Sequence, residues 1–179
     1  MRHTFQTEQW VPYPVELVFA FFANPENLPR LMPHWQDARL EQASFATPPE
    51  HGDPADAALS PSQAAGAGST MTISFRPVPF SPIRMRWDAK ITEFTWNSHF
   101  CDVQLARGPF THWHHCHRVS SQSREGVAGT MVVDDLEYEP PFGPLGELAH
   151  SLGLRRQIES IFAYRQRHLP ELLASLPTR

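Results

Sequence analysis

Five strand-like segments follow one another from residue 69 onward, and only short turns separate them. The turns contain breakers such as Asn97-Ser98 and Gly108-Pro109. Because parallel strands need long crossover connections, links this short favour an antiparallel meander. The segments span residues 69–77, 83–96, 99–107, 111–121 and 127–138.

The second of these segments shows the clearest alternation of apolar and charged residues. Charged side chains separate its apolar ones, so the two sets point to opposite faces of a strand. The apolar face is predicted to pack inward while the charged face meets water. The inward set is Met85, Trp87, Ala89 and Ile91.

Shorter elements precede the meander. Alternation predicts a strand at His3–Val11, which Pro12 and Pro14 end. Apolar residues at helical spacing then predict a helix over 14–23, since proline is tolerated in a first turn. Asn24-Pro25 breaks this helix, a second short helix follows over 25–31, and a strand is expected over 35–46.

Residues 47–68 are rich in Pro, Ala, Gly and Ser and show no periodicity. Such a composition cannot offset its ordering entropy by burial, so we expect a flexible insertion between strands. The alternative, a domain boundary, leaves too few residues before it for a domain. The 179 residues therefore predict a single domain over 1–179.

The last segment of the chain is predicted to be helical. Apolar residues recur at helical spacing on both sides of Gly153, which is expected to kink or break the helix. Pro170 is expected to bend the helix or restart it. The apolar stripe has to cover a surface, and the inner face of the sheet is the large candidate. Its residues include Leu145, Leu148, Leu152, Leu154, Ile158, Phe162, Leu169 and Leu173.

These elements predict an α+β helix-grip fold. A curved antiparallel sheet of about seven strands wraps around one long C-terminal helix, with two short helices after the first strand. Such a grip leaves a space between the sheet and the helix, and we expect a ligand to bind there.

Charge and hydropathy exclude several other classes. The net charge of −4 at pH 7 argues against a nucleic-acid binder, which needs a basic surface. The longest apolar stretch is too short to cross a bilayer. The first residues do not resemble a signal peptide, so we expect a cytoplasmic protein without stable membrane insertion.

The chain has two cysteines, Cys101 and Cys116. They do not make the disulfide framework of a small secreted domain, which is shorter and richer in cysteine. We find no phosphate-binding glycine loop, no zinc-finger spacing and no nucleophile motif, and we assign no metal and no cofactor.

The order of elements resembles the START-like superfamily, also called SRPBCC, which includes the birch-pollen allergen type, polyketide cyclases and lipid-transfer domains. The apolar helix followed by Asn24-Pro25-Glu26-Asn27-Leu28 is similar to the opening of these proteins. The run from Gly108-Pro109-Phe110 through Trp113, His115 and His117 resembles a bacterial subgroup of ligand-binding proteins related to polyketide cyclase/dehydrase-like proteins. The resemblance implies the helix-grip fold outside residues 47–68, together with a hydrophobic ligand.

Four histidines fall within six residues in the segment 111–121. Alternation places His115 and His117 on one face of the strand with Trp113, and His112 and His114 on the other with Cys116. The cluster is therefore two pairs on opposite faces.

The pair His115 and His117 allows three interpretations. We favour a hydrogen-bonded polar patch, followed by a general acid or base and then by a metal site. An i, i+2 pair can bind zinc or copper, but a closed site needs more ligands. Asp134 or Asp135 could supply one, and the sequence does not fix which of them faces the pair.

The remaining candidates are aromatic and basic side chains. Together with His115 and His117, the residues assigned to the ligand are Trp87, Phe110, Trp113 and Tyr138. His115, His117 and Asp134 are the candidate catalytic residues. We interpret the arginines of the last helix as a solvated face; they are Arg155, Arg156, Arg165 and Arg167.

The sequence favours binding, transport or sequestration of a small hydrophobic ligand such as a lipid, quinone or polyketide-like molecule. An enzyme of cyclase, dehydratase or isomerase type is the alternative, with a cavity histidine as general acid or base. A partner-binding module without a small ligand is the third hypothesis. The sequence does not rank a monomer against a homodimer.

Overall fold

One antiparallel sheet of seven strands forms the frame of the protein in a computed structural model that describes residues 1–50 and 64–176. Along the sheet the strand order is β1-β7-β6-β5-β4-β3-β2. The strands are β1 His3–Val11, β2 Arg39–Ser44, β3 Thr70–Phe75, β4 Met85–Thr95, β5 His99–Gln104, β6 His112–Ser121 and β7 Thr130–Glu139.

The predicted alternation along β4 is confirmed. Met85, Trp87, Ala89 and Ile91 all face the interior of the curved sheet. The pairing of β4 with β5 shifts register between Ile91 and Glu93, and the pairing of β2 with β3 contains a similar shift. Such bulges bend a strand and strengthen its twist, which helps the sheet to curl around a helix.

Two short helical elements follow β1, as predicted. Helix α1 spans Val15–Ala23, and a 3₁₀ helix spans Pro25–Leu31. Asn24 separates them, and its side-chain oxygen accepts a hydrogen bond from the N–H of Glu26. Most of α1 is buried, which anchors this end of the chain against the sheet.

The strand predicted over 35–46 begins later than expected, at Arg39. A 3₁₀ turn at His34–Gln36 comes first, and Asp37 follows it with a left-handed φ of 45°. Arg84 holds this turn because its Nη1 and Nη2 donate to the carboxylate and the carbonyl of Asp37 at 2.7 and 2.6 Å. This tertiary contact has no signature in the local sequence.

The middle of the predicted insertion, residues 51–63, lies outside the described residues. Its C-terminal end packs against the core, since Ala64 and Ala65 are buried. The N–H of Ala65 donates to the carbonyl of Ala23, and that of Gly66 to the carbonyl of Ala46. The flexibility of the insertion and the single-domain organisation stay predictions.

The C-terminal helix is interrupted at Gly153, as expected. Helix α2 spans Pro144–Ala149, a π turn spans His150–Leu154, and helix α3 spans Arg155–Ala174. Gly153 leaves helical geometry within the turn. The apolar face of α3 packs into the sheet as predicted, and it buries Ile158, Phe162, Leu169 and Leu173. The predicted stripe also contained Leu145, Leu148 and Leu152, but these three side chains, which precede Gly153, are exposed.

Pro170 does not restart the helix, which continues through it to Ala174. Proline has no N–H to donate to the carbonyl four residues earlier, that of Gln166. The side-chain amide of Gln9 on β1 donates to this carbonyl instead, at 2.7 Å. The sheet therefore supplies the bond that the proline removes.

Gln166 makes a reciprocal contact with the same strand. Its Nε2 donates to the carbonyl of Glu8 at 2.9 Å and to the hydroxyl of Thr7 at 2.7 Å. Strand β1 is an edge of the sheet, so the helix side chain covers part of a free strand edge.

Cys101 and Cys116 are directly opposite one another on β5 and β6 and form a disulfide, with their Cα atoms 4.1 Å apart. The low cysteine content argues against a disulfide framework but does not test a single disulfide. Whether Cys101 and Cys116 meet depends on the register between β5 and β6, which the sequence does not fix. Among the described residues, no helix is long and apolar enough to cross a membrane.

Replacing Gln9 by alanine should lower the free energy of unfolding by about 1–2 kcal/mol, because the carbonyl of Gln166 loses its donor. Urea unfolding of the variant and the parent protein measures this difference.

The same change in a Pro170→Ala background provides the control. The new backbone N–H at position 170 can bond to Gln166, so the cost of Gln9→Ala should shrink there. Gln6→Ala alters an exposed position of the same strand and should change stability by no more than about 0.5 kcal/mol. Equal costs of Gln9→Ala in both backgrounds would contradict the proposed contact.

Candidate functional site

A cavity of about 630 Å³ lies between the inner face of the sheet and helix α3. This volume suits a drug-sized molecule. The walls are mainly apolar, and the sheet, α1 and α3 all contribute to them. Representative wall residues are Phe22, Ile73, Ala89, Phe100, Ile158 and Phe162.

One part of the cavity wall is polar, and five ionisable side chains from β5, β6, β7 and α3 form this part of the wall or lie directly behind it. Strand pairing places Asp102 opposite His115, and His117 opposite Asp134. Arg165 reaches them from α3. We call these five residues the polar cluster; apart from Asp102, its members are less than a tenth exposed.

Asp134 connects the polar cluster. Its Oδ1 accepts a hydrogen bond from Nη1 of Arg165 at 3.1 Å and lies 3.2 Å from Nε2 of His115. Nδ1 of His117 is 2.7 Å from the same oxygen. One buried carboxylate oxygen on β7 therefore contacts both β6 and helix α3.

His115 lies between two carboxylates. Its Nδ1 is 3.5 Å from Oδ1 of Asp102, while its Nε2 faces Asp134. The other oxygen of Asp102 accepts a hydrogen bond from Nε1 of Trp113 at 3.2 Å. Asp102 and His115 both line the cavity, and Asp134 lies behind them.

Burial alone would lower the pKa of His115, but its contacts with Asp102 and Asp134 outweigh burial and raise that pKa. Burial likewise opposes ionisation of the two aspartates. The bond to His115 nevertheless lowers the pKa of Asp102, and the charge of Arg165 holds the pKa of Asp134 well below its usual range.

The pKa of His117 is shifted in the opposite direction from that of His115. Burial, followed by the charges of His115 and Arg165, lowers its pKa to about 4. At neutral pH His117 is therefore uncharged. With His115 protonated, the cluster carries two negative charges, on Asp102 and Asp134, and two positive ones, on His115 and Arg165, so it is neutral overall.

A metal ion is the other possible occupant of the polar cluster. Asp102, His115 and His117 offer donor atoms within 4.8 Å of one another. However, Nη2 of Arg165 lies 3.4 Å from Nε2 of His117, so a divalent ion there would meet a fixed cation. A proton on His115 balances the charges without this repulsion, and the cluster therefore fits a proton better than a metal.

The structure brings most of the predicted site residues together. Trp87, Phe110, Trp113, His115 and His117 line the cavity, and the first three form a contiguous aromatic wall.

Tyr138 is placed differently from the other predicted ligand residues. It is buried behind Phe110, its hydroxyl lies 2.8 Å from Nε2 of His150, and it is not among the residues that line the cavity. Asp134 is the inward member of the acidic pair, while Asp135 faces outward and binds Arg118 at 3.0 Å.

Sequence reasoning placed Arg165 incorrectly and missed Asp102. Arg165 was expected on a solvated helix face, but it is buried against Asp134. Its position three residues after Phe162 lies on the apolar stripe, which is the signal that could have revealed it. Asp102 became recognisable only through its pairing with His115.

Exposed apolar side chains are concentrated in two segments next to the cavity wall. They belong to the β3–β4 loop and to the segment that leads into the last helix, and both segments contribute wall residues such as Pro77 and Leu145. Exposed apolar patches of this kind are typical of interaction sites and ligand-binding grooves. They are Val78, Phe80, Ile83, Phe142, Leu145, Leu148 and Leu152.

The fold and the cavity define a helix-grip protein of the ligand-binding class. The chain belongs to the polyketide cyclase/dehydrase and lipid transport family, whose model matches residues 11–161. The resemblance found in the sequence is thereby confirmed. A search of curated proteins found no significant match.

Solved structures support the same fold. Norcoclaurine synthase from Thalictrum flavum is similar with a TM-score of 0.60 and 12% identity, covering 98% of this chain and 88% of that one. A structure of that enzyme with dopamine and hydroxybenzaldehyde has a TM-score of 0.58 and 12% identity, covering 99% and 90% of the two chains. Ara h 8.0201 has a TM-score of 0.55 and 13% identity, covering 94% and 97%. At these identities the similarity concerns the fold alone.

Acidification from pH 7 to pH 4.5 should destabilise the protein through His117. In the unfolded chain its pKa is about 6.5, whereas in the fold it is about 4. The unfolded state therefore binds protons preferentially between these values, at a cost of up to roughly 3 kcal/mol. Urea unfolding at both pH values should show that His117→Gln, which cannot titrate, loses less stability than the parent protein.

Other members of the polar cluster do not obscure this comparison. The raised pKa of His115 contributes stability that is complete below its unfolded pKa and is lost as the pH rises through the folded value. The lowered pKa of Asp134 contributes stability that is lost only at more acidic pH. An identical pH dependence in His117→Gln and the parent would show that His117 is not a buried neutral group.

Proposed function

We propose that this protein binds a small, largely apolar molecule with a neutral hydrogen-bonding group, for transport or sequestration. The observation that carries the proposal is the apolar cavity of about 630 Å³ with one polar cluster in its wall. Apolar walls provide affinity through burial, and a few polar groups orient the ligand. Lipids with a hydroxyl group, quinones and polyketide-like ketones have this chemistry.

The charge balance of the polar cluster supports a neutral polar group. The carboxylates of Asp102 and Asp134 face Arg165 and His115, and these carboxylates raise the pKa of His115 despite its burial. A ligand carboxylate would add an unmatched buried charge, which is costly, whereas a carbonyl or hydroxyl only exchanges hydrogen bonds with water. Asp102, His115, His117 and Arg165 line the cavity, and Asp102 with His115 is the pair that we expect to meet this group.

Filling the cavity should weaken binding. Ala89 faces the cavity from β4, so Ala89→Phe places a ring in the space of the ligand. We expect the affinity for N-phenylnaphthylamine, a neutral apolar fluorescent probe, to fall by about tenfold or more, which corresponds to about 1.4 kcal/mol. Fluorescence titration measures this change.

Lys90→Phe is the matched control, because the same side chain is introduced at the next residue on the outer face. It should leave the affinity for the probe unchanged.

Displacement of the probe by dodecanol and by laurate tests whether the ligand carries a neutral polar group. Dodecanol, which is neutral, should displace the probe more strongly than laurate, which carries a carboxylate. Equal effects of the two variants would place the probe outside the cavity, and stronger displacement by laurate would overturn the neutral-ligand proposal.

An enzyme is the second candidate, and the placement of His115 favours it. A histidine with a raised pKa between two carboxylates, at the wall of an apolar cavity, can transfer a proton to or from an enolisable ketone. Norcoclaurine synthase with dopamine and hydroxybenzaldehyde shows that this fold can accommodate small aromatic molecules.

Proton transfer at His115 predicts exchange at the carbon next to a bound ketone. In deuterated buffer, the protein should accelerate deuterium uptake by an aryl methyl ketone, and His115→Gln should reduce this acceleration by about 100-fold. NMR spectroscopy follows the exchange.

His114→Gln provides the comparison, because His114 is next to His115 in sequence and lies on the outer face of β6 with the disulfide. It should retain the acceleration. If the parent protein causes no exchange in any ketone that displaces the probe, the enzymatic candidate is excluded and the binding function is unaffected.

A further inference from the structure

A second group of ligand atoms lies on the outer face of the sheet, away from the cavity. Cys101 on β5 is paired directly with Cys116 on β6, and His114 is two residues before Cys116 on the same face. Cys101, His114 and Cys116 place one donor atom each within 4.8 Å of one another. This thiol–imidazole set has no role in the proposed ligand site.

In the oxidised form the two sulfurs are bonded to each other, so only the distance from His114 to Cys116 can be compared with that of a tetrahedral metal site. Nε2 of His114 is 3.8 Å from Sγ of Cys116. Ligands of a tetrahedral zinc ion lie about 3.6 Å apart for sulfur and nitrogen and about 3.8 Å apart for two sulfurs, as follows from the usual bond lengths. The carboxylate of Glu93, 3.8 Å from Sγ of Cys101, lies close enough to complete the coordination, and water is the other candidate.

Burial and charge around the set are also favourable. Both cysteines are less than a twentieth exposed, which protects the sulfurs, while Glu93 is exposed and provides an approach from solvent. The nearby cation Arg118 is neutralised by Asp135 at 3.0 Å, so it does not repel an approaching metal ion.

We propose that the reduced form of the pair Cys101 and Cys116, together with His114, binds one zinc ion on the outer face of the sheet. In the oxidised form described above the two sulfurs are bonded to each other, so neither is a thiolate ligand. Metal binding at this site therefore depends on the redox state of the pair.

The chemistry balances in two steps. A dithiol reductant transfers two electrons and two protons to the disulfide, which breaks the S–S bond, and the reductant becomes a disulfide. Zinc then binds both sulfurs as thiolates and releases two protons. The ion replaces the covalent link as the bridge between β5 and β6.

Zinc binding should be detected with the full-length chain after reduction by a phosphine, which itself becomes a phosphine oxide. Cobalt(II) is the spectroscopic probe, since thiolate ligands give it an intense near-ultraviolet charge-transfer absorption. The reduced protein should bind one cobalt ion with this absorption, and zinc should displace the cobalt. The oxidised protein should show no such absorption.

Variants identify the ligands. Cys116→Ser should lose the charge-transfer absorption, and His114→Ala should weaken binding of zinc in competition with a chromophoric chelator. His112→Ala is the matched control, because His112 lies on the same face but pairs with Glu137 at 3.1 Å. His117→Gln alters the cavity instead, and both of these variants should bind as the parent protein does.

Several results would overturn the proposal. The first is that the reduced parent protein shows no cobalt charge-transfer absorption. The second is that Cys116→Ser keeps this absorption. The third is that His117→Gln loses the absorption while His114→Ala binds metal as the parent protein does. Circular dichroism confirms that each variant is folded, and binding of N-phenylnaphthylamine adds the same check for the variants on the outer face, so lost metal binding is not mistaken for unfolding.

Discussion

The carboxylate of Asp134 is the contact on which the arrangement of helix and sheet depends. It is almost fully buried on β7, and it faces His115 and His117 on β6 and Arg165 on α3. Removing one partner of such a buried pair leaves an uncompensated charge, at a cost of roughly 3–5 kcal/mol. Apolar packing brings the helix to the sheet, and this ion pair joins Arg165 of the helix to Asp134 of β7.

The same contact determines the chemistry of the cavity. Arg165 binds Asp134, which lies behind the cavity wall, and Asp102 and His115 face each other in that wall and offer hydrogen-bonding groups to the cavity. The apolar walls supply non-directional affinity, and this one polar position restricts orientation. A protein can thus accept several apolar skeletons while requiring a similar functional group at one place.

Much of the fold follows from local patterns. Period-two alternation correctly placed Trp87 on the inner face of β4, and Trp113, His115 and His117 on the inner face of β6. These predictions succeed because a strand has only two faces. Register between strands has no comparable local signal, so the sequence does not pair Asp102 with His115.

The other differences are also tertiary in origin. Pro170 reads locally as a helix breaker, but the amide of Gln9, distant in sequence, satisfies the carbonyl that the proline leaves free. Arg165 reads as a surface residue because arginine is normally solvated, and only the buried Asp134 makes its position on the apolar stripe favourable. For Pro170 and Arg165 alike, the residue type predicted the wrong local structure. The spacing of Arg165 along its helix, in contrast, correctly indicated an inward position.

The contact between Gln166 and strand β1 has a consequence for association between molecules. While helix α3 is docked, the side chain of Gln166 occupies the carbonyl of Glu8 on the outermost strand. Release of the helix would uncover that strand edge and the apolar inner face of the sheet together. An unpaired edge beside an apolar surface is a template for pairing with another chain. The last helix therefore protects the protein from aggregation as well as enclosing its cavity.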